Sequence, residues 1–402
     1  MASITNDVAE LDLLDPGFRV DSSEVRAAAE RHWYARTSLG PAVLRYEDCA
    51  AILRDERFRS AGAEHLADQG ITDGPVAEMW RDFILNVEGD RHGRLRRLVG
   101  QAFTPNAVDE LRPRMRAIVG DLVDSFAPAG ACEFMGAFAD HYPPQVMFDL
   151  LGIPEEEQEG FLERGKTLAL TISYSVAEHL AAIDAARAGL YAATDWLCAS
   201  RRLRPGDDLI SRLLGAADQG DRLTIQEFRS MVLGLVLGGQ DSTRNQLGLA
   251  MILFARHPEQ WALLARKPEL AARATEEVMR LAPVVPIIWR TAREGLVWRD
   301  LPIAAGTRLW LLVGAAHTDE ATFGADARRL DITAERPPQL AFGHGAHYCL
   351  GTALARAEMA EALRILAARL PNLELAAPPE LPPDLCGFVG PSSLPIRFAM
   401  PR

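Results

Sequence analysis

The segment Phe342-Gly343-His344-Gly345-Ala346-His347-Tyr348-Cys349-Leu350-Gly351 gathers one thiol, two imidazoles and three glycines. Cys349 falls where a helix is expected to open. The unpaired amides and dipole of such an end favour a thiolate, and glycines let backbone N–H groups approach its sulfur. Those are the conditions for a metal-binding sulfur; the alternative is a buried thiol in a glycine-rich turn. A second segment, Leu237-Gly238-Gly239-Gln240-Asp241-Ser242-Thr243, interrupts a long apolar helix. Two glycines inside a helix cost about 1 kcal/mol each relative to alanine, so they signal close packing or room for a group against the backbone. A carboxylate beside a hydroxyl there pairs a proton shuttle with a donor that can hold a water.

Two further clusters carry charge. In His92-Gly93-Arg94-Leu95-Arg96-Arg97, His92 and Arg96 are four apart and share a helix face, which suits two cations gripping one carboxylate edge. The alternative is an exposed basic face. Glu277 and Arg280 form an i, i+3 pair, which alone is worth roughly 0.2–0.5 kcal/mol at a surface.

These residues need elements to hold them. Apolar spacing of three and four predicts helices over residues 108–126, 177–202, 224–256 and 270–281, with a last helix over about 350–370. Residues 33–36 and 42–45 flank Ser-Leu-Gly-Pro and read as strand, turn, strand, while 296–298 and 308–312 read as short strands. The fold class is therefore mainly α with a small β-sheet region. The irregular stretch 315–347 is longer than a compact domain tolerates without a functional reason.

Composition narrows the function. The chain has 402 residues, 48% hydrophobic and 24% charged, with a net charge of -12. Lys166 and Lys267 are its two lysines, and no basic stripe suggests nucleic acid. Cys49, Cys132, Cys198, Cys349 and Cys386 are odd in number and scattered, which argues against a disulfide framework or a zinc site. The acidic N-terminal stretch lacks a signal-peptide pattern, and the longest apolar runs fall short of the roughly 20 residues of a membrane helix. A cytoplasmic protein without a membrane span is expected.

The pattern Phe-Gly-x-Gly-x-His-x-Cys-x-Gly resembles the haem-binding loop of the bacterial cytochrome P450 family, and the resemblance covers nearly the whole chain. It implies a P450 fold in one haem domain over residues 1–402, with haem b held by Cys349 as axial ligand. Phe342 would pack beside the sulfur, and His92, Arg96, Arg290 and His347 would reach the propionates. A thiolate ligand pushes electron density onto iron and favours O–O cleavage. Glu277 and Arg280 match the Glu-x-x-Arg element, whose third member would be Arg329, with a structural role for all three. Gly238 would leave room for the haem in a widened turn of the distal helix, where Asp241 and Ser242 relay protons to dioxygen. The family usually has threonine at this position; Ser242 keeps the hydroxyl and loses the methyl that restricts its rotamer.

The same resemblance places Gly234 and Leu237 on the substrate side, faced by Val285, Pro286, Ile287, Phe388 and Val389, with Gln240 and residues 85–89 as sources of polar contacts. It implies a monooxygenase that takes electrons from a separate ferredoxin and ferredoxin reductase, docking near Cys349 with Arg94 and Arg97, to oxidise a hydrophobic or aromatic small molecule in secondary or catabolic metabolism. The alternatives are oxidative coupling or desaturation without oxygen insertion, a peroxide-driven peroxygenase, and a non-catalytic haem sensor or carrier.

Overall fold

A computed structural model describes residues 8–60, 62–173, 175–218, 223–382 and 387–400; Cys386 and the first seven residues lie outside them. Its long helix, Ile225–Arg256, spans 32 residues, about 48 Å at 1.5 Å per residue. Thr224 caps it: its hydroxyl accepts from the Glu227 amide at 3.1 Å, and Glu227 Oε2 accepts from the Thr224 amide at 3.0 Å. This reciprocal pair satisfies two otherwise free helix-end donors.

The predicted helices appear as Arg112–Phe126, with a separate turn Pro105–Asp109 before it, then Val176–Leu203, Ile225–Arg256, Ala271–Leu281 and Thr352–Arg369. The expected hairpin is present, with Tyr34 opposite Val43 and Ala35 opposite Ala42. It belongs to a five-stranded sheet ordered Tyr34–Ala35, Ala42–Val43, Arg308–Leu311, Ile288–Ala292, Phe58–Ser60. Helices share one large apolar core that runs from Leu66 to Phe398, whereas the sheet is packed by two smaller clusters, around Leu309 and around Trp310. Of the described residues, no helix is long and apolar enough to cross a membrane.

Of the four glycines of the long helix, Gly238 and Gly239 stand in different surroundings. A Cβ on Gly239 would come within 2.0 Å of Met147 Cε, so the end of that methionine would have to shift; a Cβ on Gly238 would meet nothing within 4 Å. The backbone stays α-helical through residues 238–243, so the expected widened turn is not present. Its place is taken by a back-bond, Ser242 Oγ donating to the Gly238 carbonyl at 2.5 Å.

The long helix is joined to the last one by a buried pair that sequence spacing does not reveal. Thr243 Oγ1 donates to Glu358 Oε2 at 3.0 Å, and Glu358 Oε1 has no hydrogen-bond partner among the described residues. Burial pushes the Glu358 carboxyl up to about 8, with the Thr243 bond pulling the other way. A carboxyl raised in the folded state keeps its proton while the unfolded chain ionises, so this group's contribution to stability is complete below about 4.5 and lost as pH rises through about 8. Glu358→Gln is therefore expected to match the parent in denaturant unfolding at pH 4.5 and to exceed it by on the order of 1–3 kcal/mol at pH 8; equal differences at both pH values would contradict this.

Candidate active site

The cysteine segment is held from below by the Ala271–Leu281 helix. Glu277 and Arg280 are 3% and 1% exposed, so they are not the solvated surface pair that their spacing alone would suggest. Arg280 Nε and Nη2 donate to the two Glu277 oxygens, each at 2.7 Å. The guanidinium also donates to the carbonyls of His317, at 2.8 Å, and Ala327. His317 is fully buried; its Nε2 accepts from the Leu340 amide at 2.7 Å and its Nδ1 lies 2.9 Å from the Arg280 carbonyl. Desolvation lowers its value to about 3, which keeps the ring neutral in this one tautomer. The irregular stretch 315–347 is therefore a strap fastened to one buried ion pair, which accounts for its length.

The third member of that cluster is Arg336, not Arg329. Arg336 Nε lies 3.7 Å from Glu277 Oε1, and the same side chain holds Asp326 at 2.8 and 3.0 Å. The Arg329 side chain is exposed; this residue offers only its backbone carbonyl, 3.4 Å from Arg280 Nη2. Side-chain direction in an irregular loop has no periodicity to betray it, so the choice among neighbouring arginines was not legible.

At the end of the strap, Gly343 and Gly345 have φ of +68° and +71°. The Cys349 amide donates to the Phe342 carbonyl at 2.9 Å, closing a tight loop. Arg356 stacks 4.9 Å over the Phe342 ring and donates to Tyr348 Oη at 3.2 Å. Cys349 is the one exposed thiol among the described cysteines. Surrounding protein desolvates it and raises its value, while the Gly351 amide, the Thr352 hydroxyl, Arg96 and Arg356 pull it down. The expected anion-favouring groups are all there; though the thiol surface is open, desolvation by the walls around it outweighs them in the protein alone. Burial raises the Cys132 and Cys198 thiols to about 12 and about 11, the latter against the pull of Arg202 and Arg229.

Above the thiol stands a cationic cradle. His92 lies on the Gly89–Gly100 helix and its ring centre is 4.4 Å from that of His347. Arg290, on the strand opposite Leu309 and Ser60, is buried; its guanidinium donates to the Trp289 carbonyl at 3.0 Å and makes no ion pair among the described residues. Desolvation lowers it to about 10. Arg96 is half-buried and likewise has no ion pair among the described residues. A buried guanidinium without an acid is a site for an anion, so the donor set fits the two carboxylates of haem b, with Cys349 supplying the thiolate.

The remaining expected residues lie on the long helix and on the segments 285–287 and 388–389. Gly238 and the Ser242 hydroxyl are exposed. Asp241 is half-buried, and burial, reinforced by Asp140, holds its carboxyl above the usual aspartate range against the pull of Arg244 and Lys166. Gly234 faces Phe83, whose ring is 3.9 Å from where a Cβ would stand. The Val389 amide donates to the Val284 carbonyl at 2.8 Å, which brings Phe388 and Val389 beside the segment of Val285. Val285 and Phe388 are half-open, Leu237 is 5% exposed within the helical core, and Ile287 turns into the cluster around Trp310. Pro286 is buried, 3.4 Å from where a Cβ on Gly314 would stand. Gln240 packs against Gly165 of another helix, and Arg94 is bound to Glu227.

The Cytochrome P450 family model matches residues 269–386, the stretch that contains both the Glu277–Arg280 pair and Cys349. Luteothin monooxygenase of Streptomyces thioluteus is 39% identical over 98% of this chain and 96% of its own. The mycinamicin IV hydroxylase/epoxidase of Micromonospora griseorubida is 37% identical over 84% and 83%. Among solved structures, P450BioI in complex with an acyl carrier protein ligated to hexadec-9Z-enoic acid superposes with a TM-score of 0.85, at 30% identity over 94% of this chain and 98% of that one. Fold, cysteine loop and full-length relatives agree: the chain belongs to the bacterial cytochrome P450 family and is a monooxygenase dependent on haem b.

Proposed function

We propose that this P450, a single haem domain, takes electrons from a ferredoxin and its reductase and inserts oxygen into a hydrophobic or aromatic small molecule of secondary metabolism in the cytoplasm. The haem, when bound, supplies dioxygen activation. Cys349 would hold its iron, and His92, Arg96, Arg290 and His347 would hold its propionates. The reading rests on one juxtaposition: a raised carboxyl at Asp241 next to a hydroxyl at Ser242 that is fixed on the open face of Gly238. The back-bond to Gly238 restricts the serine much as a threonine methyl would. Asp241 then accepts and releases protons beside the open face of Gly238, and Ser242 presents an oriented donor and acceptor there. A sensor or carrier has no use for that pair.

Relatives named for luteothin, nocardicin C and mycinamicin IV support a small-molecule substrate. Half-open Val285 and Phe388, with exposed Leu85, support an apolar one. The test is an optical titration of the ferric protein with terpenes, macrolides, fatty acids and aromatics, followed by turnover with ferredoxin and reductase. A compound that moves the Soret band and gains one oxygen in mass is expected. Loss of hydrogen without that gain would assign coupling or desaturation instead. Full haem content with no compound-dependent electron uptake would sink the reading.

A further inference from the structure

One carboxylate stands inside the cationic cradle. Glu88, at the N-terminal boundary of the Gly89–Gly100 helix, is less than one-third exposed. Its Oε1 accepts from the Ser60 amide at 3.0 Å and lies 3.1 Å from His347 Nε2. Its Oε2 accepts from Arg293 Nη2 at 2.8 Å. Four separate segments therefore meet on one side chain: a sheet strand, the end of the strand that carries Arg290, the cysteine loop and the cradle helix.

We infer that Glu88 is a positioning residue that orients His347 toward the haem propionates and lowers the haem reduction potential as a fixed third negative charge. Its field reaches the cradle: it pulls upward on His92 and Arg290, against their desolvation, and its Oε1 touches His347 directly. Burial leaves that field little screened by water. A propionate pair brought beside Arg290 meets Glu88 as a third carboxylate, which Arg293 offsets only from its far side. An added electron is then less well stabilised than the cation count alone would suggest.

The inference rests on the propionates lying among Arg290, His92 and His347, and the experiment separates the two ideas. Glu88→Gln keeps the acceptor oxygen and removes the charge. Redox titration of the haem-loaded variant is expected to show reduction about tenfold more favourable, a rise of about 59 mV for one electron. Glu88→Asp, which keeps the charge with a shorter reach, is expected to hold the parent potential, and it decides the matter if the glutamine variant retains no haem. An unchanged potential in Glu88→Gln, or an equal rise in Glu88→Asp, would overturn the inference and leave Glu88 a structural link. Arg290→Gln serves as the control on the cradle: its haem release is expected to accelerate. If it does not, the propionate placement fails, whatever the Glu88 variants do.

Discussion

Glu277→Ala is expected to lose about 3–5 kcal/mol of stability, the usual cost of breaking a buried ion pair from one side. The change leaves the Arg280 guanidinium, 1% exposed, with carbonyl partners and no counter-charge. It also frees the Asp331 amide, which donates to Glu277 Oε1 at 3.3 Å. Against a typical total of about 5–15 kcal/mol, this is enough to lower the melting temperature sharply and to release the strap that carries Cys349, so purified protein should contain little haem. Arg280→Lys should do nearly as much harm, since one ammonium cannot serve both carboxylate oxygens and the carbonyls of His317 and Ala327. Arg329→Ala should stay within about 0.5 kcal/mol of the parent, as exposed positions do. Calorimetry and haem content measured on the three variants test the cluster; a normal melting temperature for Glu277→Ala would refute it.

Asp241→Asn is expected to slow turnover by about 10²-fold, the lower end of what a positioned acid–base group supplies, and to leave the substrate-induced Soret change intact. Asparagine matches the shape of the carboxyl and cannot exchange a proton. A solvent deuterium isotope effect on turnover should rise in the variant, because proton delivery becomes limiting. Ser242→Ala should differ: electrons continue to be consumed while product falls, since the oriented hydroxyl is lost and the acid remains. Parent-like turnover in Asp241→Asn would remove this residue from the proton path.

The long helices, the hairpin, the cysteine loop and the His92–Arg96 face were legible because each rests on local spacing. Capping at Thr224 even left its pattern, Thr-x-x-Glu, in the sequence. The failures were of another kind. Arg336 in place of Arg329, Glu227 as the partner of Arg94, and Ile287 turned toward Trp310 all depend on which way a side chain points between distant segments. Glu358 was missed because a glutamate in a helix reads as surface; its burial comes from the helices packed around it, where Thr243 meets its carboxyl. Gly238 and Gly239 read as a pair but differ in what lies opposite each: open space for Gly238, the end of Met147 for Gly239.

The cradle draws on residue 92 near one end of the chain and residues 290, 347 and 349 near the other, and this separation bears on how the protein comes into being. No stretch made early in synthesis can complete it, and contacts of such separation cost loop-closure entropy before they return anything. Until the last helix is made, the N-terminal segments hold cations that await their partners. A cofactor that binds only the finished arrangement draws the chain toward it by mass action. Haem held by these residues would thus couple cofactor supply to maturation, acting as a reactant in the protein's assembly before it acts in catalysis.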